Sequence, residues 1–230
     1  MAKVLVILSG CGVYDGSEIH ESVSLLLHLD RHDAEVVCAA PDIKQMHVID
    51  HVTGEPAEES RNVRTESARI ARGQVADLAS INGADFDAVL LPGGFGAAKN
   101  LCNFAIVGDR CEVHPDVDRV LREAQGAGRP LGLACIAPVI AARLFPDVTL
   151  TIGSDEATAT AINAMGARHS TAAPDAICID ESKRIVTTPA YMAAERIGQI
   201  HTGIGRMVDA VMSMIAQGTV PVTAASDGKA

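Results

Sequence analysis

Cys135 carries the most reactive side chain of this sequence to a corner between two elements. Residues 131–134, Leu-Gly-Leu-Ala, read as a short buried strand. Residues 136–144 read as a helix whose first turn holds Ala137 and Pro138, where proline is tolerated because its missing N–H would be unpaired anyway. A cysteine on so tight a strand-to-helix turn has the setting of a nucleophile elbow, with its thiol held out and free backbone N–H groups around it. The positive end of the helix is expected to favour the thiolate. A cysteine used only as a small apolar residue in the core is the alternative.

Two further stretches are expected on the same rim. Glu18 opens the first helix and supplies a carboxyl able to hold or move a proton beside the thiol; a solvent-facing glutamate in a first helical turn is the plainer reading. Gly93 and Gly94 directly follow a buried strand. Their backbone N–H groups, with that of Ile136, are expected to hold a substrate oxygen, although a Gly-Gly pair also makes a simple tight turn. Neither the 9–12 nor the 93–96 glycine cluster carries the third glycine of a dinucleotide fingerprint, so no nucleotide cofactor is expected.

The elements that must position these residues alternate. Strands are expected at 3–8, 35–40, 87–92, 131–134 and 149–152, with a hairpin joining 176–180 to 184–188. Helices are expected from 17 to 30, with Ile19, Val23, Leu26 and Leu27 as the apolar face, and over 65–78, 116–127, 136–144, 156–165 and 192–216. The polar stretch 43–64 holds a short hairpin through 47–50 and 52–55. Such alternation implies parallel βαβ units in a doubly wound sheet, and ligands then bind beyond the carboxyl ends of the strands. Residues 10–18, 93–96 and Cys135 all fall on that edge. Residues 1–217 are expected to form one domain and 218–230 a flexible tail.

Composition narrows the function classes. With 230 residues and 48% hydrophobic but only 3% aromatic content, the core is aliphatic. A formal charge of −10 lacks the basic face that nucleic acids or anionic membranes attract. No apolar run approaches the roughly 20 residues of a membrane span. Six cysteines without a CxxC pair suit a reducing compartment, read as the cytoplasm, and show no spacing for a zinc site.

Four blocks carry a resemblance. Residues 4–21 (VLVILSGCGVYDGSEIHE), 90–101 (LLPGGFGAAKNL), 132–138 (GLACIAP) and 185–192 (IVTTPAYM) resemble, in order and spacing, the ElbB-like proteins. These are isoprenoid biosynthesis proteins with an amidotransferase-like domain, in the PfpI-like superfamily of the class I glutamine amidotransferase-like fold. The resemblance implies a flavodoxin-like α/β/α sandwich with a mostly parallel sheet, a homodimer, a nucleophilic Cys135 and its acid partner Glu18. It further implies a glyoxalase that converts glyoxal, methylglyoxal or another small α-oxoaldehyde to the hydroxy acid without glutathione, cofactor or metal.

The chain departs from the superfamily pattern in one respect. The stretch after Cys135 where many members place a partner histidine reads Thr149 to Glu156 and has none, and turnover is expected to be slow. His169 reads as a loop residue, and His114-Pro115-Asp116 reads as a helix cap instead of part of an amidotransferase triad. The alternative function is a regulatory protein in which an exposed, low-pKa Cys135 is oxidised, and a purely structural amidotransferase-like subunit is a third. Cys11, in the first rim loop, is either a resolving thiol or a cysteine without a role.

Overall fold

A computed structural model describes residues 1–218; the expected tail lies, but for Gly218, outside the described residues. Seven strands form the central sheet: β1 (Lys3–Ile7), β2 (Glu35–Ala40), β3 (Ala76–Asp77), β4 (Ala88–Leu91), β5 (Leu131–Ala134), β8 (Cys178–Asp180) and β9 (Ile185–Thr188). Their order is β3-β2-β1-β4-β5-β9-β8, and every pairing is parallel except β8 with β9. The expected flavodoxin-like α/β architecture is therefore present. β1, β4 and β5 are the near-continuous apolar runs that a sheet covered on both faces requires, and Val4 to Leu8, Ala88 to Leu91 and Leu131 with Leu133 are solvent-inaccessible. The strands expected to end at Leu150 and beyond are shorter: β6 (Thr149–Leu150) pairs only with β7 (Arg168–His169), apart from the main sheet.

The helices are α1 (Ile19–Arg31), α2 (Val63–Ile70), α3 (Phe95–Lys99), α4 (Phe104–Val107), α5 (Pro115–Gly126), α6 (Pro138–Leu144), α7 (Glu156–Ala164) and α8 (Ile197–Ala216). Helix α5 starts as its sequence suggests, with Pro115 in the first turn and the His114 ring accepting the Asp116 N–H at 3.3 Å. Helix α2 is shorter than the periodicity over 65–78 predicts, because Arg72 and Gly73 turn left-handed at φ 52° and 88°. Helix α8 begins at Ile197 and not at Met192, since residues 190–192 form a separate turn. The stretch 43–64 is a strap held by isolated antiparallel bridges, Ile49 to Pro56 and Lys44 to Asn62.

One expected face is turned around. The buried residues of α1 are Glu21, Ser22, Ser24, Leu25 and Leu29, while Ile19, Val23 and Leu27 are 44%, 51% and 40% exposed. Helix α1 packs mainly on α8. Its inner face at the N-terminal end meets the polar rim of the sheet, so a carboxyl and two serine hydroxyls are buried there and the apolar stripe faces outward.

Candidate active site

Cys135 sits between β5 and α6 with φ 60°, a left-handed backbone that non-glycine residues adopt at a cost and that recurs at functional sites. Its N–H donates to the Thr188 carbonyl at 2.9 Å, which anchors the corner to β9. Ala190, just beyond β9, has φ 45°. These two strained residues stand on either side of one carboxyl, that of Glu21.

Glu21 is fully buried. Its Oε2 accepts the Gly93 N–H at 2.8 Å and its Oε1 accepts the Tyr191 N–H at 3.2 Å. The Cys135 side chain lies beside the same carboxyl, both bordering Gly93. Burial pushes its pKa up to about 7, and the neighbouring Glu18 pushes in the same direction. The Cys135 thiol is held well above its ordinary value, first by burial and then by the charge of Glu21. The Gly94 and Ile136 N–H groups point at the sulfur and oppose that shift without overcoming it. Near neutral pH the pair is thus a protonated thiol beside a carboxyl whose pKa lies close to that pH, not the free thiolate expected from a helix N-terminus.

Glu18, expected from the sequence as the acid partner, lies one helical turn before the carboxyl that borders Cys135. Glu18 is the N-cap of α1: its Oε2 accepts the Glu21 N–H at 2.7 Å, as cap residues do. Its own carboxyl is raised in pKa by burial, yet the group that reaches Cys135 is Glu21. Gly94 and Ile136 line the same cavity as Cys135. The N–H of Gly93 goes to Glu21. Space around this glycine is closed, since a Cβ there would lie 2.3 Å from the Cys135 Cβ and 2.7 Å from Glu21 Oε2.

Two side chains missed by the sequence reading complete the rim. The Tyr191 hydroxyl and His20 Nδ1 are 2.7 Å apart, and that nitrogen lies 3.8 Å from Glu18 Oε1. Tyr191 resists ionisation because of burial and then the charges of Glu18 and Glu21. A tyrosine and a histidine separated by 171 residues leave no local signal, although Tyr191 falls in the last of the four sequence blocks. His169 is in β7, its ring accepting the Ile152 N–H at 3.4 Å. Cys11 lies among Glu66, Arg69 and Asp15, and its thiol is raised by burial and by both carboxylates, against the effect of Arg69.

Cys135, Gly94, Ile136 and Tyr191 open onto a cavity of about 390 Å³, which Phe95, Phe104 and Met192 also line. Among the described residues no group of three or more His, Cys, Asp or Glu is arranged to hold a metal ion, and no helix is long and apolar enough to cross a membrane. All six cysteines are free.

No family model matches the chain. It is 51% identical over 223 residues to the human mitochondrial glutamine amidotransferase-like class 1 domain-containing protein 3, covering 93% of this chain and 83% of that protein. The crystal structure of an isoprenoid biosynthesis protein with amidotransferase-like domain from Ehrlichia chaffeensis superposes with a TM-score of 0.87 at 36% identity, over 94% of this chain and all of that one. A DJ-1 superfamily protein from Salmonella typhimurium shares the fold at a TM-score of 0.53 and 20% identity, over 96% of this chain and 94% of that one.

Proposed function

The chain belongs to the glutamine amidotransferase-like class 1 family that includes the ES1 proteins, and on that premise we propose that it is a cofactor-independent glyoxalase acting through Cys135. The observation that carries this reading is a cavity-lining thiol set beside a fully buried carboxyl that the Gly93 and Tyr191 N–H groups hold in place, with Gly94 and Ile136 next to the sulfur. A carboxyl with a pKa close to the working pH is the best general base.

The chemistry needs no outside oxidant. Glu21 takes the thiol proton as Sγ bonds to the aldehyde carbon, and returns it to the oxygen that becomes the hemithioacetal hydroxyl. The N–H groups of Gly94 and Ile136 hold that oxygen while it carries charge. Glu21, a carboxylate again, moves a proton from the sulfur-bearing carbon to its neighbour while the hemithioacetal hydroxyl proton passes to the neighbouring carbonyl oxygen, leaving the thioester of a 2-hydroxy acid. Water then adds to the thioester, the C–S bond breaks, and Cys135 recovers its proton. Glyoxal plus water gives glycolate and a proton. His20 reaches Tyr191 and Glu18, not Cys135, so no imidazole assists and turnover is slow.

The rival reading, an oxidisable regulatory Cys135, needs an exposed thiol of low pKa. Cys135 is 7% exposed and its pKa is raised, which weighs against that reading. The homodimer implied by the family likeness has a face to use in the outward stripe Ile19, Val23 and Leu27. The free thiols fit the cytoplasm, and fit equally the compartment in the human relative's name.

The test is glyoxal-to-glycolate turnover in buffer free of glutathione and amines. Cys135→Ala is expected to make no product, Glu21→Gln to lose at least about 100-fold, and Glu18→Gln to stay within about tenfold of wild type. Wild type that stops after one equivalent, or Cys135→Ala that matches it, ends the glyoxalase reading.

A further inference from the structure

The cavity beside Cys135 is too large and too apolar for a two-carbon dialdehyde. Its volume of about 390 Å³ equals on the order of a dozen waters at roughly 30 Å³ each. Phe95, Phe104, Ile136 and Met192 supply most of its wall, with Ala98 and Ala105 between them. Phe104 and Ala105 belong to α4, a single turn that contributes no buried residue of its own to the core. Phe95 is 48% exposed at the start of α3. Phe104 is partly buried against the core, and the half-exposed Phe95 beside the thiol is apolar surface that a ligand of matching chemistry would cover.

Charge is distributed as unevenly as polarity. Among the described residues, no Lys, Arg or His lines the cavity, and its one charged group is Asp155. That carboxylate caps α7, accepting the Thr158 N–H at 2.8 Å. The end of α7 that would otherwise attract an anion is therefore already occupied by a negative side chain. A phosphate or carboxylate on the substrate would meet one like charge among the lining residues and no cation; Lys99, over the outer wall at the Phe95 ring, already donates to the Tyr14 carbonyl.

We infer that Cys135 takes an uncharged carbonyl compound bearing a branched or aromatic group of several carbons, with the carbonyl at Sγ and that group against Phe95, Phe104, Ile136 and Met192. The inference concerns which molecule occupies the site of the glyoxalase reading, and occupancy is measurable without turnover. Addition to the thiol forms one C–S bond and moves the thiol proton to the carbonyl oxygen, so a bound aldehyde shields Cys135 from alkylation.

The experiment measures Cys135 alkylation by iodoacetamide, followed by peptide mass, with acetaldehyde, isovaleraldehyde or glyoxylate present. Isovaleraldehyde is expected to protect at a concentration about tenfold or more below that of acetaldehyde, in line with the value of a few buried carbons, and glyoxylate to protect least. Phe104→Ala, with its fold checked by circular dichroism, is expected to cut the isovaleraldehyde advantage at least about threefold. Equal protection by the two neutral aldehydes, strong protection by glyoxylate, or an unchanged ratio in Phe104→Ala overturns the inference. A protein that shows the expected protection yet turns over neither glyoxal nor phenylglyoxal supports the inference and removes the glyoxalase reading instead.

Discussion

Two glycine-rich loops leave the sheet side by side, after β1 and after β4, and only one of them serves the thiol. In the loop of residues 10–16 the backbone donors are consumed structurally. Gly10 N–H goes to Ser67 Oγ, Gly12 N–H to the Ser17 carbonyl, Gly16 N–H to the Gly12 carbonyl and Tyr14 N–H to His51 Nε2. Lys99 and Asn100 hold its carbonyls. In the loop of residues 93–94, by contrast, the glycines serve the buried acid and the thiol: Gly93 N–H goes to Glu21, and Gly94 lines the cavity with Cys135. The same residue type after the same kind of strand thus makes a clamp in one place and a charge-handling surface in the other. What separates them is the partner of each N–H, not the glycines.

The sharpest way to break this comparison is Gly94→Ala. Gly94 has φ 94°, and a Cβ there would lie 2.3 Å from the Gly16 carbonyl oxygen and 2.4 Å from the Glu18 nitrogen. Both obstacles are backbone, so the main chain must move. We expect a loss of at least about 3 kcal/mol in urea unfolding, together with a Cys135 alkylation rate changed by tenfold or more. An unaffected alkylation rate would mean that the Gly94 N–H does not set the reactivity of the sulfur.

Next in size is the pH dependence that Glu21 confers. Its folded pKa of about 7 exceeds the ordinary 4.5, so between those values the folded protein holds a proton that the unfolded chain releases. The associated stability is fully present below pH 4.5, declines as pH rises, and is gone above pH 7, amounting to roughly 3 kcal/mol. Wild type should therefore lose stability relative to Glu21→Gln between pH 5 and pH 8. Parallel profiles for the two proteins would place the proton elsewhere.

Why the sequence points to Cys135 and Glu18 but not to the buried Glu21 follows from what each signal measures. Buried parallel strands announce themselves as unbroken apolar runs, and the corner at Cys135, the proline at the start of α6 and the cap at His114 are all local. The face of α1 is not local. Ile19, Val23, Leu26 and Leu27 recur at helical spacing, yet three of the four are substantially exposed, because what meets the N-terminal half of α1 is the polar rim. The usable signal was Glu21 in phase with Leu25 and Leu29 at intervals of four, a carboxyl on the stripe that reaches the core. Tyr191 and His20 needed the fold itself, since β9 comes next to β5 only by inserting between it and the edge strand β8.

The smallest effect expected is at the clamp, and it tests the comparison from its other side. Gly12 also has a left-handed backbone, φ 137°, and a Cβ there would lie 2.5 Å from His51 Nε2. That obstacle is the tip of a half-exposed side chain, which can swing outward by giving up its contact with the Tyr14 N–H at 3.3 Å. Gly12→Ala should then cost about 1–2 kcal/mol, mostly backbone strain, and leave Cys135 alkylation within about twofold of wild type. The residue is in the same kind of loop as Gly94, and its strain is similar in sort. If Gly12→Ala nevertheless slowed Cys135 as much as Gly94→Ala does, the two loops would be acting as one unit through the contact of Gly96 N–H with the Gly16 carbonyl at 2.9 Å, and the division between clamp and charge-handling surface would fall.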